Sequence, residues 1–327
     1  MSSLIQACIS NGHCSLERLS ESTDAYRAQK KSGLLQKAKR RLTNKWTDWD
    51  TFYLPFVRQL LQIMSAKEEI VYIIDGSQKG SANTTLRLSV LCKGFAIPVA
   101  LVVKEGEKGY FPEEMHLDLL KMIVQVCPFR CRTILLGDRE FDGHGLRQWC
   151  DDKQWSFVIR TSSDRLIDFD GETARFDTII TTRAIYFIQG APNFTNAVYW
   201  KGKGYQKALF LLTNLELGQE TCHYYKRRFK IETLFKYLKS AGFYLHKTRL
   251  KCPTKLANLI IVVAFSCVIS FCIGLTIKEK EPISTIELIV RKDRLPKITP
   301  IAIAQLAIRY KCSCALVLFS ELSENLN

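Results

Sequence analysis

The stretch IVYIIDGSQKGSANTTLRLSVLCKGFAIPVALVV, residues 70–103, decides the fold. It opens on an apolar run, IVYIID, that reads as a buried strand closed by Asp75. TTLRLSVLC (84–92) alternates as a second strand, and FAIPVALVV (95–103) supplies a third across the tight Lys93-Gly94 connection. Three strands so close in sequence predict an antiparallel meander. Downstream, Pro112-Glu113-Glu114 opens a helix running to about Val126, with proline at its first position and acids in its first turn. TILLG (133–137) is another buried strand, ending at Asp138. Gly143 to Asp151 reads as a short helix and SFVIR (156–160) as a further strand. This order predicts an α/β class.

Residues 161–215 break that order. RLIDF, ARFDTII, AIYFIQ, AVYW and ALFLLT are strand-like runs separated by Gly, Asn, Asp and Pro, so the block reads as all-β. A long basic helix is expected next, from about Thr221 to Ala241. Upstream, residues 15–66 read as helical, with Leu16, Leu19, Leu34, Leu35, Leu42, Phe56, Leu60, Leu61 and Ile63 at mixed three and four spacings. No internal repeat, GxGxxG or Walker-type loop occurs, which argues against a nucleotide cofactor.

Charge narrows the partner. The chain has 327 residues, 47 Lys and Arg against 32 Asp and Glu, and a net charge of +15. With 47% hydrophobic and 24% charged residues it is neither a disordered tail nor a low-complexity or collagen-like rod. An excess of this size calls for a polyanion, either nucleic acid or an anionic membrane surface. Between Tyr26 and Lys45 the basic residues are Arg27, Lys30, Lys31, Lys37, Lys39, Arg40, Arg41 and Lys45, uninterrupted by acid. That run is either a solvated helix face or a phosphate-contacting one. LIIVVAFSCVISFCIGLTI (259–277) is 19 uncharged residues, long enough for a membrane span. A fully buried core helix produces the same signal. The N-terminus has neither the basic nor the apolar region of a signal peptide. Twelve scattered cysteines without a paired CxxC motif suit reduced thiols in a cytosol better than a zinc site.

Two strand-end aspartates, Asp75 and Asp138, could share a divalent metal or could be ordinary turn residues. The basic helix tilts the choice. On an ideal helix, Tyr225, Arg228, Glu232 and Lys239 fall within an arc of about 60°. One face then holds a carboxylate, two cations and a phenol, a set suited to metal and phosphate.

These residues resemble a known family, the DDE transposases of bacterial insertion sequences of the insertion-sequence-four type. Its mark is Tyr-x2-Arg-x3-Glu-x6-Lys, matched by Tyr225, Arg228, Glu232 and Lys239. Its second aspartate lies in a stretch like GDREFDG, here Asp138, and its first closes the first core strand, as Asp75 does in VYIIDGS. The resemblance runs from about residue 50 to 275. It implies an RNase H-like α/β core, a mixed sheet flanked by helices, with an all-β insertion and an N-terminal helical DNA-binding region. The expected divisions are 1–66 for DNA-end binding, 67–160 with 216–277 for the catalytic core, 161–215 for the insertion, and 278–327 for dimerisation or DNA contact. It also makes the apolar helix a core helix.

The implied activity is metal-dependent cleavage at element ends followed by 3′-OH strand transfer into target DNA. Asp75, Asp138 and Glu232 would hold Mg2+ or Mn2+, two ions per site. Glu140 and Asp142 also lie near Asp138, which is preferred because it directly ends the strand. Tyr225, Arg228 and Lys239 would contact phosphates, with further DNA contacts from Lys39, Arg40, Arg41, Trp200, Lys201 and Lys203. Lys207 extends the last patch. Some relatives stack an extruded base on a tryptophan of the insertion; beside ALFLLT this chain has Leu209 and Phe210, and Trp200 is the nearest tryptophan. The expected partners are terminal inverted repeats, target duplex and a second copy of the chain, in a bacterial cytoplasm at the nucleoid, without membrane. The rival is a decayed or domesticated transposase that only binds DNA.

Overall fold

The computed structural model describes residues 2–21, 31–44, 46–66, 69–79, 83–106, 111–128, 131–169, 171–179, 184–190, 195–203 and 206–324. Arg27, Lys30 and Lys45 of the basic run lie outside them. The chain divides into two compact units, residues 54–233 and residues 1–53 with 234–327.

The first of these is built on one eight-stranded sheet. Helix α4 (Leu54–Ser65) precedes it and turns Val57, Leu61 and Met64, spaced at helical period, into the core. Strands β1 (Glu69–Lys79), β2 (Asn83–Cys92) and β3 (Phe95–Glu105) form the antiparallel meander, with Tyr72 opposite Val90 and Leu86 opposite Val102. After α5 (Glu113–Val124), strand β4 (Arg132–Gly137) returns parallel to β1. After α6 (His144–Asp152), β5 (Ser156–Arg160) lies parallel to β4. The resulting order β3-β2-β1-β4-β5, with β1, β4 and β5 parallel, is an RNase H-like α/β core. Buried β1 and β4 are near-continuous apolar runs because helix-covered parallel strands meet no water on either face.

Residues 161–215 give two separate structures. Strands β6 (Leu166–Phe169) and β7 (Glu172–Arg175) pair only with each other. Strands β8 (Ile185–Gly190), β9 (Thr195–Trp200) and β10 (Leu209–Thr213) instead extend the main sheet, β10 pairing antiparallel with β5. Phe176–Ile179, expected as strand, is a helical turn, α7. Its backbone is already committed, since Phe176 and Asp177 donate to the carbonyls of Arg165 and Ser163 at 2.8 and 2.9 Å. Phe176 is buried edge-on against Phe210.

The expected long helix over 221–241 is interrupted. Helix α8 (Gly218–Arg228) stops before Phe229, α9 (Lys230–Lys236) resumes, and Tyr237–Ala241 is a π-helical turn. The π-turn shifts the residues beyond it off the ideal rotation that the single-face argument assumed.

The other unit is helical. Its axis is α10 (Pro253–Lys280), which buries the residues from Leu259 to Phe271 without exception. Of its most apolar window 83% is buried, although the helix is long enough to cross a membrane. Helices α1 (Ser2–Asn11) and α3 (Lys31–Leu42) pack against it, as do α12 (Pro300–Arg309) and α13 (Ser313–Glu324). The sequence contains no strong signal for α1, yet Ile5, Cys8 and Ile9 are core residues. Asn258 donates to the Leu42 carbonyl at 2.9 Å, satisfying an acceptor at the end of α3. Gly274 is required where α10 meets α12. A Cβ there would lie 1.7 Å from the Pro300 carbonyl oxygen.

Candidate active site

Strand register sets the first two carboxylates side by side. In the β1–β4 pair Ile73 lies opposite Leu136, so two residues further along both strands stand Asp75 and Asp138. Asp138 is also the cap of a short 3-10 turn, Arg139–Phe141, accepting from the Glu140 amide at 3.1 Å. That turn reverses the chain immediately after the strand and leaves the second carboxylate oxygen free to face β1. Gly137 has little space for a side chain, because Phe141 of the same turn packs within 3.0 Å of where a Cβ would be.

Arg228, the last residue of α8, closes the pair. Its Nη2 donates to Asp75 Oδ2 and to Asp138 Oδ2, each at 3.0 Å. The guanidinium is only 9% exposed, against 13% for the Asp75 side chain and 34% for Asp138. Its Nε is buried with no hydrogen-bond partner. Burial pushes the Asp75 carboxyl up to about 7; Arg228 opposes that, and Asp138 and Glu140 reinforce it. One cation therefore does not fully neutralise two carboxylates in a poorly solvated place. Charge deficits of this kind mark functional sites more often than structural ones.

Three further groups border the pair. Tyr225 is buried one helical turn before Arg228, and its phenol is pushed up to about 12, chiefly by burial. It senses the charges of Arg228, Arg160, Asp138 and Asp75. Arg160, at the end of β5, lies one residue beyond the Ile159 that faces Gly137, hence level with Asp138. No sequence motif singles it out, although a basic residue closing SFVIR beside a strand-end acid was a usable signal. Glu140 accepts from the Phe111 amide at 3.3 Å, and a Cβ on Gly76 would come within 3.2 Å of its Oε2. By contrast Asp142 is engaged away from the pair, accepting from Thr161 and, at 2.6 Å, from Arg165.

Glu232 is not gathered in. It is exposed on α9, beyond the break at Phe229. Among the described residues no group of three or more His, Cys, Asp or Glu is placed to hold a metal. Lys239 is exposed in the π-turn of the helical unit, its ammonium 5.8 Å from the Phe235 ring centre.

Helix α8 is pinned at further points along its length. Glu69, at the start of β1, accepts from the Tyr224 hydroxyl and from Arg227 Nη1 at 2.9 Å. Arg132 at the start of β4 reaches Glu220 at 2.6 Å. Helix α8 is thus tied to β1 at its start and at Asp75 within it, and to β4 at its start and just past its end.

The outlying basic residues are placed as follows. Lys39, Arg40 and Arg41 are exposed on α3, whose Ala38 and Leu42 face inward, and Arg41 also donates to Ser3. Lys201, Lys203 and Lys207 are exposed. Trp200 is 4% exposed in β9, and the Lys226 ammonium lies 5.2 Å from its ring centre. Burial denies its face to a base, whatever its place in the sequence suggested.

A family model described as the transposase DDE domain matches residues 76–269. That span includes Asp138, Tyr225, Arg228, Glu232 and Lys239, and begins one residue after Asp75. No curated protein matches the chain. Among solved structures it is similar to a piggyBac transposase synaptic complex with hairpin DNA, at 12% identity and TM-score 0.52, covering 99% of this chain and 70% of that one. At such identity the likeness speaks to the fold alone. A match to Marinitoga piezophila Argonaute with 5′ OH guide RNA and target DNA is 14% identical, covers 58% of this chain and 28% of that one, and has a TM-score of 0.24, too low to carry an argument.

Proposed function

Because the chain belongs to the DDE transposase family, and is a DNA-cleaving transposase, we propose that Asp75, Asp138 and Glu232 are its catalytic carboxylates. The observation that carries this reading is the Arg228 guanidinium spanning Asp138, just past the end of β4, and Asp75, which does not close β1 as expected but lies within it, since the strand runs on to Lys79 in its pairing with β2. Proteins of this family use divalent metal ions. Two hard oxygen donors, poorly solvated and short of positive charge, fit such an ion. We assign Mg2+ or Mn2+, two per site, held by the three acids once Glu232 joins the aspartates. Bound metal supplies Lewis-acid activation of the attacking oxygen and stabilisation of the leaving one.

The chain's own residues do the rest. Arg228 keeps the two aspartates together until metal and DNA arrive, and then holds a phosphate near the cleaved end. Tyr225, one helical turn before it, contacts phosphate beside it. Lys239 adds a second phosphate contact. Such contacts position DNA without reading its sequence. The reaction is hydrolysis at the element end, followed by attack of the freed 3′-OH on the opposite strand or the target. Neither step needs a covalent enzyme–DNA intermediate, so no nucleophilic side chain is required.

DNA is engaged through residues 1–66, with Lys39, Arg40 and Arg41 on the terminal inverted repeats, and through Lys201 and Lys203 of the 161–215 insertion. Trp200 serves there by supporting Lys226. Residues 67–160 and 216–277 form the catalytic core, and 278–327 serve dimerisation or DNA contact. The working assembly is a homodimer at the nucleoid in the cytoplasm.

A decayed copy that only binds DNA is the rival, favoured by the exposure of Glu232. Metal-dependent cleavage of DNA carrying the element ends decides between them. Wild-type protein should cleave, and Asp138→Ala should lose on the order of 1,000-fold or more while still binding DNA. Cleavage by Asp138→Ala at the wild-type rate would sink the assignment. Binding without cleavage by the wild type would establish the decayed copy.

A further inference from the structure

The helical unit contains a cavity that the catalytic reading does not use. Its volume is about 800 Å³, inside the range of roughly 300–1,000 Å³ usual for ligand sites. Tyr244 and Tyr310 stand in its lining, with Arg291, Arg294, Arg309 and Gln305. Val290 and Leu306 contribute apolar surface between them.

The two tyrosines differ. Tyr244 is fixed: its ring stacks on His13 at 5.1 Å and 15°, and the Lys247 ammonium lies 4.7 Å from its centre. Tyr310 is 62% exposed and has no ring partner among the described residues. A phenol ring left open beside a cavity is a stacking platform. The cations differ as well. Arg291 is held by Asp293 at 3.1 Å, whereas Arg294 and Arg309 make no ion pair among the described residues. Gln305 also lines the cavity, but its amide nitrogen is buried against Gly242 and Gly12 and is not offered to a ligand.

An aromatic platform, two uncommitted guanidinium groups and an apolar wall make up the chemistry that recognises a nucleotide. A paired duplex offers a convex line of phosphates and no open base face. It suits the exposed basic face of α3, not a concavity with apolar walls. We propose that this cavity takes an unpaired nucleotide of DNA, its base on Tyr310 and its flanking phosphates on Arg294 and Arg309. The proposal rests on the DNA-transposase reading for its ligand, but not on the assignment of the three acids.

The test uses the full chain in chelator, so that cleavage does not enter. Affinity is compared for a short duplex carrying one unpaired 2-aminopurine and for the same duplex fully paired. Wild-type protein should prefer the unpaired form by about 5- to 150-fold, the contribution of one base stacked on an aromatic ring. The 2-aminopurine fluorescence should be quenched. Tyr310→Ala should remove preference and quenching together while leaving affinity for the paired duplex unchanged. Arg294→Gln with Arg309→Gln should lower the salt slope of binding by about 1.4 to 1.8.

All three residues are exposed, and thermal melts at the wild-type temperature would establish that the variants fold. Equal affinity for the two DNAs, or an undiminished preference in Tyr310→Ala, overturns the proposal. So does effective competition by a free mononucleotide, which would make this a small-molecule site. Loss of cleavage in Asp138→Ala with preference and quenching intact leaves the cavity assignment standing, and the reverse outcome removes only the cavity.

Discussion

Asp138 and Glu232 are proposed for the same site, yet the fold treats them differently. Asp138 is fixed by pairing: β4 lies parallel to β1 in one register, and that register alone puts it beside Asp75. Glu232 depends on the path of a helix, and the helix breaks at Phe229 between it and Arg228. The partner of the two aspartates is consequently Arg228, while Glu232 stays in water. A ladder of backbone hydrogen bonds transmits position rigidly. A helix with an interruption and a π-turn leaves room for rotation, and π-turns are frequent at functional sites. On the proposed assignment the strands hold the permanent half of the site and the helix brings the half that assembles.

The sharpest way to break this comparison is to ask which acid completes the pair. Glu140 is the competitor, because it already lies over Gly76 and raises the Asp75 carboxyl. Glu232→Gln should lower metal-dependent cleavage by about 100- to 1,000-fold, the usual scale for removing one electrostatic contributor at a reacting centre. Glu140→Gln should retain most of the rate. The opposite ranking would make the site entirely strand-held and leave the helix glutamate a surface residue.

The same division explains what could be read without coordinates. IVYIID and TILLG are apolar because both faces of those strands are covered, so the strands were visible in composition, though β1 runs on past Asp75 to Lys79 where its polar residues GSQK gave no sign of it. The meander's boundaries followed from alternation and from Lys93-Gly94. What escaped was anything fixed by long-range pairing. Nothing local in ALFLLT says that β10 will pair with β5 and extend the core sheet. Nothing in SSLIQACISN says that Ile5 and Ile9 will pack on α10. Residue types at helical spacing identified Tyr225 and Arg228, but ideal rotation could not foresee the break at Phe229. The tie from Glu69 to Tyr224 and Arg227 was hidden for the same reason, since its partners lie more than 150 residues apart.

A second test compares two cations of one signature. Arg228 is buried against two carboxylates, whereas Lys239 is exposed. In chelator at pH 7, Arg228→Gln should destabilise the protein by about 2–3 kcal/mol in urea unfolding. Breaking a buried pair costs about 3–5 kcal/mol, and the partial exposure of Asp138 reduces that. Lys239→Gln should change stability by less than about 0.5 kcal/mol, as surface substitutions do. Equal effects would mean that Arg228 contributes nothing to holding the two aspartates together.

The last test concerns the aspartate pair alone. Two influences on Asp75 oppose each other: burial favours its neutral form, and Arg228 at 3.0 Å favours its charged one. Burial is the larger, and Asp138 and Glu140 add to it, so the native carboxyl loses its proton near 7 instead of near 3.8. Between those values the unfolded chain has released a proton that the native state retains, and unfolding is favoured progressively as pH rises. Stability from this group is complete below about pH 4, falls through the interval, and levels off above about 7. Asp75→Asn removes the titration. Subtracting its urea-unfolding free energies in chelator from those of wild type, between pH 5 and 8, should give a curve that descends to about pH 7 and then flattens. A curve that rises with pH would mean that the Arg228 pairing outweighs burial. The two aspartates would then be adequately neutralised by the arginine, and the argument that they stand short of a cation would lose its electrostatic half.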